Sequence, residues 1–102
     1  MLTLYYITLN NAEEAQLISH DLLSNQLAVC TNWFPIHCAY RWEGEIKEEP
    51  EVVLIVKSKD TKRTDIEATI KKHISYTNCI AEIKTSSTNL PFLNWLDQEV
   101  SG

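Results

Sequence analysis

The feature that most constrains the fold is a pair of long extended segments joined near a single glycine. Residues 28–42 show the period-two alternation that is typical of a strand. The segment EVVLIVKS, residues 51–58, has a continuous apolar run, which indicates a strand buried on both faces. Gly44 is the only interior glycine and lies where a tight reversal is needed. The sequence therefore predicts a hairpin from about residue 33 to residue 57, which is more strand than one helix layer can cover.

Pro35 interrupts the first strand of this hairpin. Proline has no N–H to donate to a strand ladder, so we expect Pro35 at a sheet edge or at a bulge, and the faces need not keep one parity past it. Beyond Pro35, Cys38 alternates with His37, which places the two side chains on opposite faces. We expect Cys38 to pack as a small apolar side chain and His37 to lie at the surface or in an interface.

The remaining elements alternate between strand and helix patterns. The segment LTLYYITL predicts a first strand, and Asn11 with Glu14 resembles a helix cap before a helix over about residues 12–25. One face of that helix carries the apolar residues Ala15, Ile18, Leu22 and Leu23.

Two further helices and one further strand follow the hairpin. Asp60 or Thr61 can cap a second helix, whose apolar stripe is Ile66, Ile70 and Ile74. The segment TNCIAEIKT predicts a fourth strand, and Pro91 suits the first turn of a short C-terminal helix. The order predicts an α+β fold, a ferredoxin-like βαββαβ sandwich with a long hairpin between its second and third strands.

Length and charge narrow the classes of function. The 102 residues suit one domain, residues 1–102, and composition that is 44% hydrophobic and 23% charged is typical of a globular chain. Nine Lys and Arg against 14 Asp and Glu give a formal net charge of −5. This balance argues against nucleic acid and against anionic membrane surfaces as partners.

The cysteines and the N-terminal segment bear on location. Three cysteines form no C-x-x-C pair, and their odd number favours reduced thiols over a disulfide framework. The first 15 residues lack the basic region and the cleavage site of a secretory signal, and no apolar run is long enough to span a bilayer. We therefore expect a cytoplasmic protein.

Several segments together resemble the CutA divalent-cation tolerance family. They are LAVCTNWFP, YRWEGEI, an apolar strand that ends in lysine, His73 and Tyr76 near the end of the second helix, and FLNWL. The resemblance covers nearly the whole chain, and the order and spacing of the segments make it specific. It implies a homotrimer in which long hairpin strands pair between subunits, with a link to copper and other divalent cations. Whether a different protein also binds as a partner is left open by the sequence.

The resemblance also implies a metal site, which this chain matches only in part. In the family the suspected ligands are the cysteine of A-x-C, a histidine at the end of the second helix and a later glutamate. Cys30 matches the first, whereas Ile74 and Ile80 occupy the other two positions. His73 and Glu82 would have to act from shifted positions, and Cys79 adds a soft ligand. The expected copper or divalent-metal ligands are therefore Cys30, His73, Cys79 and Glu82.

An alternative is a trimeric regulatory or sensor protein without metal chemistry. Arg41, Trp42 and Tyr76 would suit a small anionic ligand in a cleft between subunits, by analogy with other ferredoxin-like trimers. The same three residues would equally suit aromatic packing and an ion pair between subunits. No nucleophile elbow, phosphate loop or H-E-x-x-H helix is present, so we expect no enzyme activity.

Overall fold

The computed structural model describes all residues from Met1 to Gly102. Its elements follow the predicted order, with a short 3₁₀ turn added before the second helix. They are β1 (Thr3–Leu9), α1 (Ala12–Ser24), β2 (Cys30–Trp42), β3 (Glu45–Ser58), the 3₁₀ turn (Asp60–Lys62), α2 (Arg63–His73), β4 (Ile80–Lys84) and α3 (Leu90–Glu99). The ferredoxin-like βαββαβ class with a C-terminal helix is confirmed.

One antiparallel sheet has the strand order β2-β3-β1-β4, so β2 and β4 form its edges. The β2–β3 register runs without a break from Cys30 opposite Lys57 to Trp42 opposite Glu45. Pro35 lies within this ladder, opposite Val52, on an edge strand, which is where sheets tolerate proline. The edge position of Pro35 is confirmed, and because no bulge forms there, the two faces keep one parity along β2.

A tight turn with two left-handed residues closes the hairpin. Glu43 has φ of 50° and Gly44 has φ of 80°. Positive φ at both central residues defines a type I′ turn, whose twist matches that of the flanking strands. The hairpin strands extend past the core, since residues 45–50 of β3 are exposed and the buried residues begin at Val52. The prediction of a strand starting at residue 51 was therefore too short, because the exposed residues 45–50 pair with β2 without being buried.

The sheet separates two apolar clusters. On one face, α1 and α2 cover the main core, which includes Tyr5, Leu54 and Ile66. On the other face, α3 covers a smaller cluster of Leu2, Val29, Leu96 and Val100. Alternate residues of β1 contribute to the two clusters, because successive side chains of a strand point to opposite faces.

The ends of the helices differ from the prediction in two places. Asn11 caps α1 as expected, since its side chain accepts a hydrogen bond from the Glu14 N–H at 2.9 Å. Neither Asp60 nor Thr61 caps α2, because both lie in the 3₁₀ turn and the N-cap of α2 is Lys62, which makes no side-chain cap bond. Leu23, placed on the buried face of α1 by its spacing, is 40% exposed.

Candidate functional site

The inner side of the long hairpin forms a groove of about 520 Å³, called here the hairpin groove. Its walls come from the hairpin, the end of β1 and the loop before β4. The lining residues are Thr8, Asn10, Cys38, Tyr40, Trp42, Lys47, Glu49, Glu51, Tyr76, Thr77, Asn78 and Cys79. The β2–β3 register explains the hairpin's share, because Cys38 lies opposite Glu49 and Tyr40 opposite Lys47 on one face.

Two carboxylates give this groove a negative character. Hydrogen bonding to Glu49 is the largest cause that raises the pKa of the Tyr40 phenol, followed by burial and by the charges of Glu49 and Glu51. Burial, followed by the charge of Glu51, raises the pKa of the Cys38 thiol. Both shifts keep protons on these groups near neutral pH. Lys47 is the one cationic side chain of the lining, against Glu49 and Glu51.

Tyr76 forms the wall between the groove and a second cleft. Its hydroxyl donates to Glu14 Oε1 at 2.6 Å and accepts from the Asn10 N–H at 3.0 Å. Glu14 Oε1 also accepts from the Asn10 N–H at 2.9 Å, so the N-terminal cap of α1 fixes the ring. Burial, followed by hydrogen bonding to Glu14, raises the pKa of the Tyr76 phenol. The second cleft, of about 580 Å³, lies beside the end of α2 and includes Glu67 and Lys71.

Cys79 is the most accessible of the three thiols. The residue is exposed, whereas Cys30 and Cys38 are half-buried, and all three are free. Its backbone is tied to Thr8, because the Cys79 N–H donates to Thr8 Oγ1 and the Thr8 N–H donates to the Cys79 carbonyl, both at 3.1 Å. The Cys79 backbone is thereby fixed at the edge of the groove.

The four expected metal ligands do not meet within one subunit. Cys30 packs against the cluster under α3, whereas His73 ends α2 on the opposite side of the sheet. Glu82 lies opposite Tyr5, where its charge adds to burial, the main cause, in raising the pKa of the Tyr5 phenol. The chain contains no group of three or more His, Cys, Asp or Glu that could hold a metal ion.

The distance between the two predicted thiol ligands can be estimated from the register. Cys30 lies opposite Lys57, which lies opposite Leu4, and Cys79 lies beside Thr8. The separation is then three strand spacings, about 14 Å, combined with four residue positions along the strands, about 13 Å. One metal ion cannot bridge this distance, so any site that uses both residues must draw them from different subunits.

His73 forms a hydrogen-bonded contact between the two helices. Its Nε2 lies 2.8 Å from Asp21 Oδ2, and Asn25 Nδ2 donates to Asp21 Oδ1 at 2.8 Å. The hydrogen bond to His73 is the largest cause that lowers the pKa of the Asp21 carboxyl. His73 therefore links α2 to α1 in this subunit, and it would have to leave Asp21 to bind a metal through Nε2.

We expect the Asp21→Asn variant to be less stable than the parent near neutral pH and to approach the stability of the parent in acid. Because the folded state lowers the pKa of Asp21 below 3.8, the charged group stabilises the fold above that pH, and this contribution disappears as the pH falls through the folded pKa. The loss at pH 7 should be about 1 kcal/mol or less, since the pair lies near the surface. Urea unfolding at pH 7 and pH 3 measures it, and equal losses at both values would contradict the role of the charge. Glu48→Gln, on the exposed hairpin, is the control.

The structure brings together two of the three residues expected at a ligand cleft. Trp42 and Tyr76 both line the hairpin groove. Arg41 does not, because it alternates with Trp42 and points to the other face of β2. The sequence analysis missed the contribution of Tyr40, Glu49 and Glu51. Their signal was the period-two parity from Cys38 onward, combined with a two-residue turn at Gly44 that sets the register.

Comparisons with known proteins cover the whole fold. The family model described as CutA1 divalent ion tolerance protein matches residues 3–99. The chain belongs to this family. It is 38% identical over 96 residues to the divalent-cation tolerance protein CutA of Archaeoglobus fulgidus, covering 93% of this chain and 94% of that protein. It is 33% identical over 98 residues to the Thermotoga maritima CutA, with 95% and 97% covered.

Solved CutA structures agree with the architecture described above. The structure named as the periplasmic divalent cation tolerance protein CutA from Archaeoglobus fulgidus superposes with a TM-score of 0.95 at 37% identity, covering 99% of this chain and all of that one. The crystal structure of CutA1 from Pyrococcus horikoshii gives 0.90 at 28% identity, with 98% and 99% covered. These relatives are named for tolerance to divalent cations and not for a reaction. In this CutA chain, no helix combines the length and apolar character needed to cross a bilayer.

Proposed function

We propose that this CutA chain is a homotrimer that binds copper or another divalent metal ion and contributes to the cell's response to metal ions. The observation that carries the proposal is the match to CutA relatives over nearly the full chain, with a TM-score of 0.95. No catalytic activity is proposed. The function is one of binding, and its selectivity depends on which side chains reach the metal.

The exposed parts of the sheet support the proposed assembly. β2 and β4 are both edge strands, and β2 leaves one side of a 13-residue strand without a partner. Trp33, Phe34, Trp42 and Ile46 are 41%, 43%, 52% and 75% exposed on the hairpin. Open strand edges with apolar side chains favour pairing with another chain. A trimer in which hairpins pair between subunits would cover both features.

The distribution of the thiols and carboxylates favours a metal site that is shared between subunits. The expected ligands lie on opposite sides of one sheet, so only neighbouring subunits could bring them within coordination distance. Cys79 is exposed and near the groove carboxylates, which makes it the ligand most open to a neighbour. Thiolate ligands favour Cu(I) over hard cations such as Mg²⁺.

Copper binding by tag-free protein tests the proposal. We expect the parent to retain copper against a weak chelator, and Cys30→Ser and Cys79→Ser each to weaken binding by about tenfold or more, since each removes a proposed ligand. Cys38→Ser is the matched control and should bind as the parent does. Metal analysis after dialysis, with mass from light scattering, measures both properties. Parent protein that retains no copper would contradict metal binding, and equal losses in all three variants would contradict the proposed ligands.

The alternative of a small anionic ligand finds less support. Its cationic residue, Arg41, points away from the hairpin groove, while Glu49 and Glu51 line it. An anion entering the groove would meet two carboxylates and only the ammonium group of Lys47. The charges of this groove favour a cation.

We propose the cytoplasm as the location of the protein, since all three cysteines are free and reduced thiols are typical of that compartment. The Archaeoglobus fulgidus CutA structure is named as periplasmic. Cell fractionation distinguishes the two locations.

A further inference from the structure

The second cleft, beside the end of α2, contains none of the proposed metal ligands. Its volume is about 580 Å³, inside the range of about 300–1,000 Å³ that is usual for small-molecule sites. The last turns of α2, residues 74–78 of the loop that follows and the first residue of β4 line it. No hairpin residue is among them, so the lining of this cleft is separate from the hairpin that pairs in the proposed trimer.

Two side chains of opposite charge lie on one wall of this cleft, and they are not paired. Glu67 and Lys71 are four residues apart on α2, a spacing at which a glutamate and a lysine are neighbours on the helix surface. None of the ion pairs in the chain includes either residue. Glu67 is half-buried and Lys71 is exposed. A carboxylate and an ammonium group are therefore both available to a ligand.

The loop after α2 supplies hydrogen-bond donors to the cleft. The four backbone N–H groups from Ser75 to Asn78, and the hydroxyl groups of Ser75 and Thr77, donate to no acceptor in the chain. Hydrogen bonds from such groups are strongest when the acceptor carries a charge, as a carboxylate does. The loop and Lys71 together therefore favour a negatively charged group at this end of the cleft.

Apolar side chains form the inner wall of the cleft. Ile74 is 8% exposed, and Ile80 and the ring of Tyr76 pack against the main core. The Tyr76 hydroxyl is held by Glu14 and Asn10, so its ring does not need to be ordered when a ligand binds. The cleft thus combines one carboxylate, one ammonium group, free N–H donors and an apolar wall.

We infer that the second cleft binds a free α-amino acid with an apolar side chain. The carboxylate of the ligand accepts hydrogen bonds from Lys71 and the loop N–H groups, and its ammonium group donates to Glu67. Its side chain packs on Ile74, Ile80 and the ring of Tyr76. A ligand with a single charge would leave either Glu67 or Lys71 without a complementary partner, so the charges of the cleft favour a zwitterion. This ligand class goes beyond the proposed metal ion and does not depend on it.

Leucine is the test probe, and two control compounds of similar shape each lack one of its charges. Isocaproate has no ammonium group, and isoamylamine has no carboxylate. The assembled protein is titrated at constant ionic strength, and binding is followed by calorimetry and by the NMR signals of the N–H groups of residues 75–78. We expect saturable binding of leucine, and binding of each control that is weaker by about tenfold or more, because hydrogen bonds to a charged group are lost. No saturation with leucine, or equal binding of leucine and either control, would overturn the inference. A cleft filled by a neighbouring subunit would give the first result.

Two variants of α2 locate the charges of the bound ligand. Lys71→Gln and Glu67→Gln should each weaken leucine binding by about three- to tenfold. Lys71→Gln should also reduce the preference for leucine over isoamylamine, because the carboxylate loses its cationic partner. Glu67→Gln should instead reduce the preference for leucine over isocaproate, because the ammonium group loses its carboxylate partner. Unchanged affinity, or equal weakening of all three compounds by one variant, would overturn the assignment.

Lys72→Gln and Glu99→Gln are the matched control variants, since they remove the same charges from residues of α2 and α3 that do not line the cleft. Both should bind leucine as the parent does, and losses equal to those of the cleft variants would overturn the assignment. Copper binding and mass are measured on the same samples. Copper binding without leucine binding would reject this inference alone, and leucine binding without copper binding would reject the metal proposal alone.

Discussion

The Leu22→Ala variant is expected to lose about 2–5 kcal/mol of unfolding free energy, which is a large part of the stability of a domain of this size. Leu22 on α1 is fully buried in the main core, between the helix layer and the sheet. Truncation to alanine removes apolar contacts and leaves a cavity that the surrounding helices and strands can fill only in part. Urea unfolding followed by circular dichroism measures the change, at fixed protein concentration so that assembly affects parent and variant alike.

Leu17→Ala is the matched control on the same helix. Leu17 is 52% exposed, and alanine has a higher helix propensity than leucine, so the expected change is within about 0.5 kcal/mol. Both variants make the same chemical change, so a difference between them reports burial alone. Similar losses in Leu17→Ala and Leu22→Ala would show that α1 presents a different face to the core, or that Leu17 is covered in the assembly.

Apolar periodicity predicted most of the helices and strands, because an element that buries one face needs apolar residues at regular spacing. Ile66 and Ile70 are four residues apart on α2, and both are fully buried on the face that packs on the core, as their spacing predicted. Periodicity failed where other forces decide the structure. Residues 45–50 are exposed and show no apolar alternation, but they are in β3 because β2 supplies a hydrogen-bonding partner across the turn. Pairing with a neighbouring strand does not require apolar residues, so the apolar pattern of β3 could not predict it.

The candidate site was less predictable because it depends on which faces the sheet brings together. The sequence placed Cys30, His73, Cys79 and Glu82 in one metal site through a family pattern that the chain only partly matches. The structure puts Cys30 and His73 on opposite sides of the sheet and pairs His73 with Asp21, which is 52 residues away along the chain. Such long-range pairing requires the packing of α1 on α2, and neither helix encodes it alone.

The groove residues show the complementary case, in which local rules would have been sufficient. A two-residue turn at Glu43 and Gly44 fixes Tyr40 opposite Lys47 and Cys38 opposite Glu49. Period-two parity then places Tyr40 and Glu49 on the same face as Trp42. What the parity could not supply was Tyr76, which reaches the groove from the loop before β4 because Glu14 and Asn10 hold its hydroxyl.

The Phe34→Asp variant is expected to convert the proposed trimer into monomers. Three subunits of 11.7 kDa give about 35 kDa for the parent, and the variant should run near the monomer mass in light scattering at micromolar concentration. Phe34 is 43% exposed on the edge strand β2, so the subunit alone tolerates a polar residue there. In a trimer the same position would be covered, and burying an unpaired carboxylate costs several kcal/mol at each of three equivalent interfaces.

Leu17→Asp provides the control for this change, because it places a carboxylate at an apolar side chain that is 52% exposed on α1, outside the hairpin. It should remain near 35 kDa. Circular dichroism checks that the subunits of Phe34→Asp remain folded, since dissociation through unfolding would carry no information about the interface. Folded Phe34→Asp that keeps the trimer mass would place the subunit contacts elsewhere than on this part of β2. A parent at the monomer mass would reject the assembly itself, because the open β2 edge and its aromatic side chains would then lie free in water.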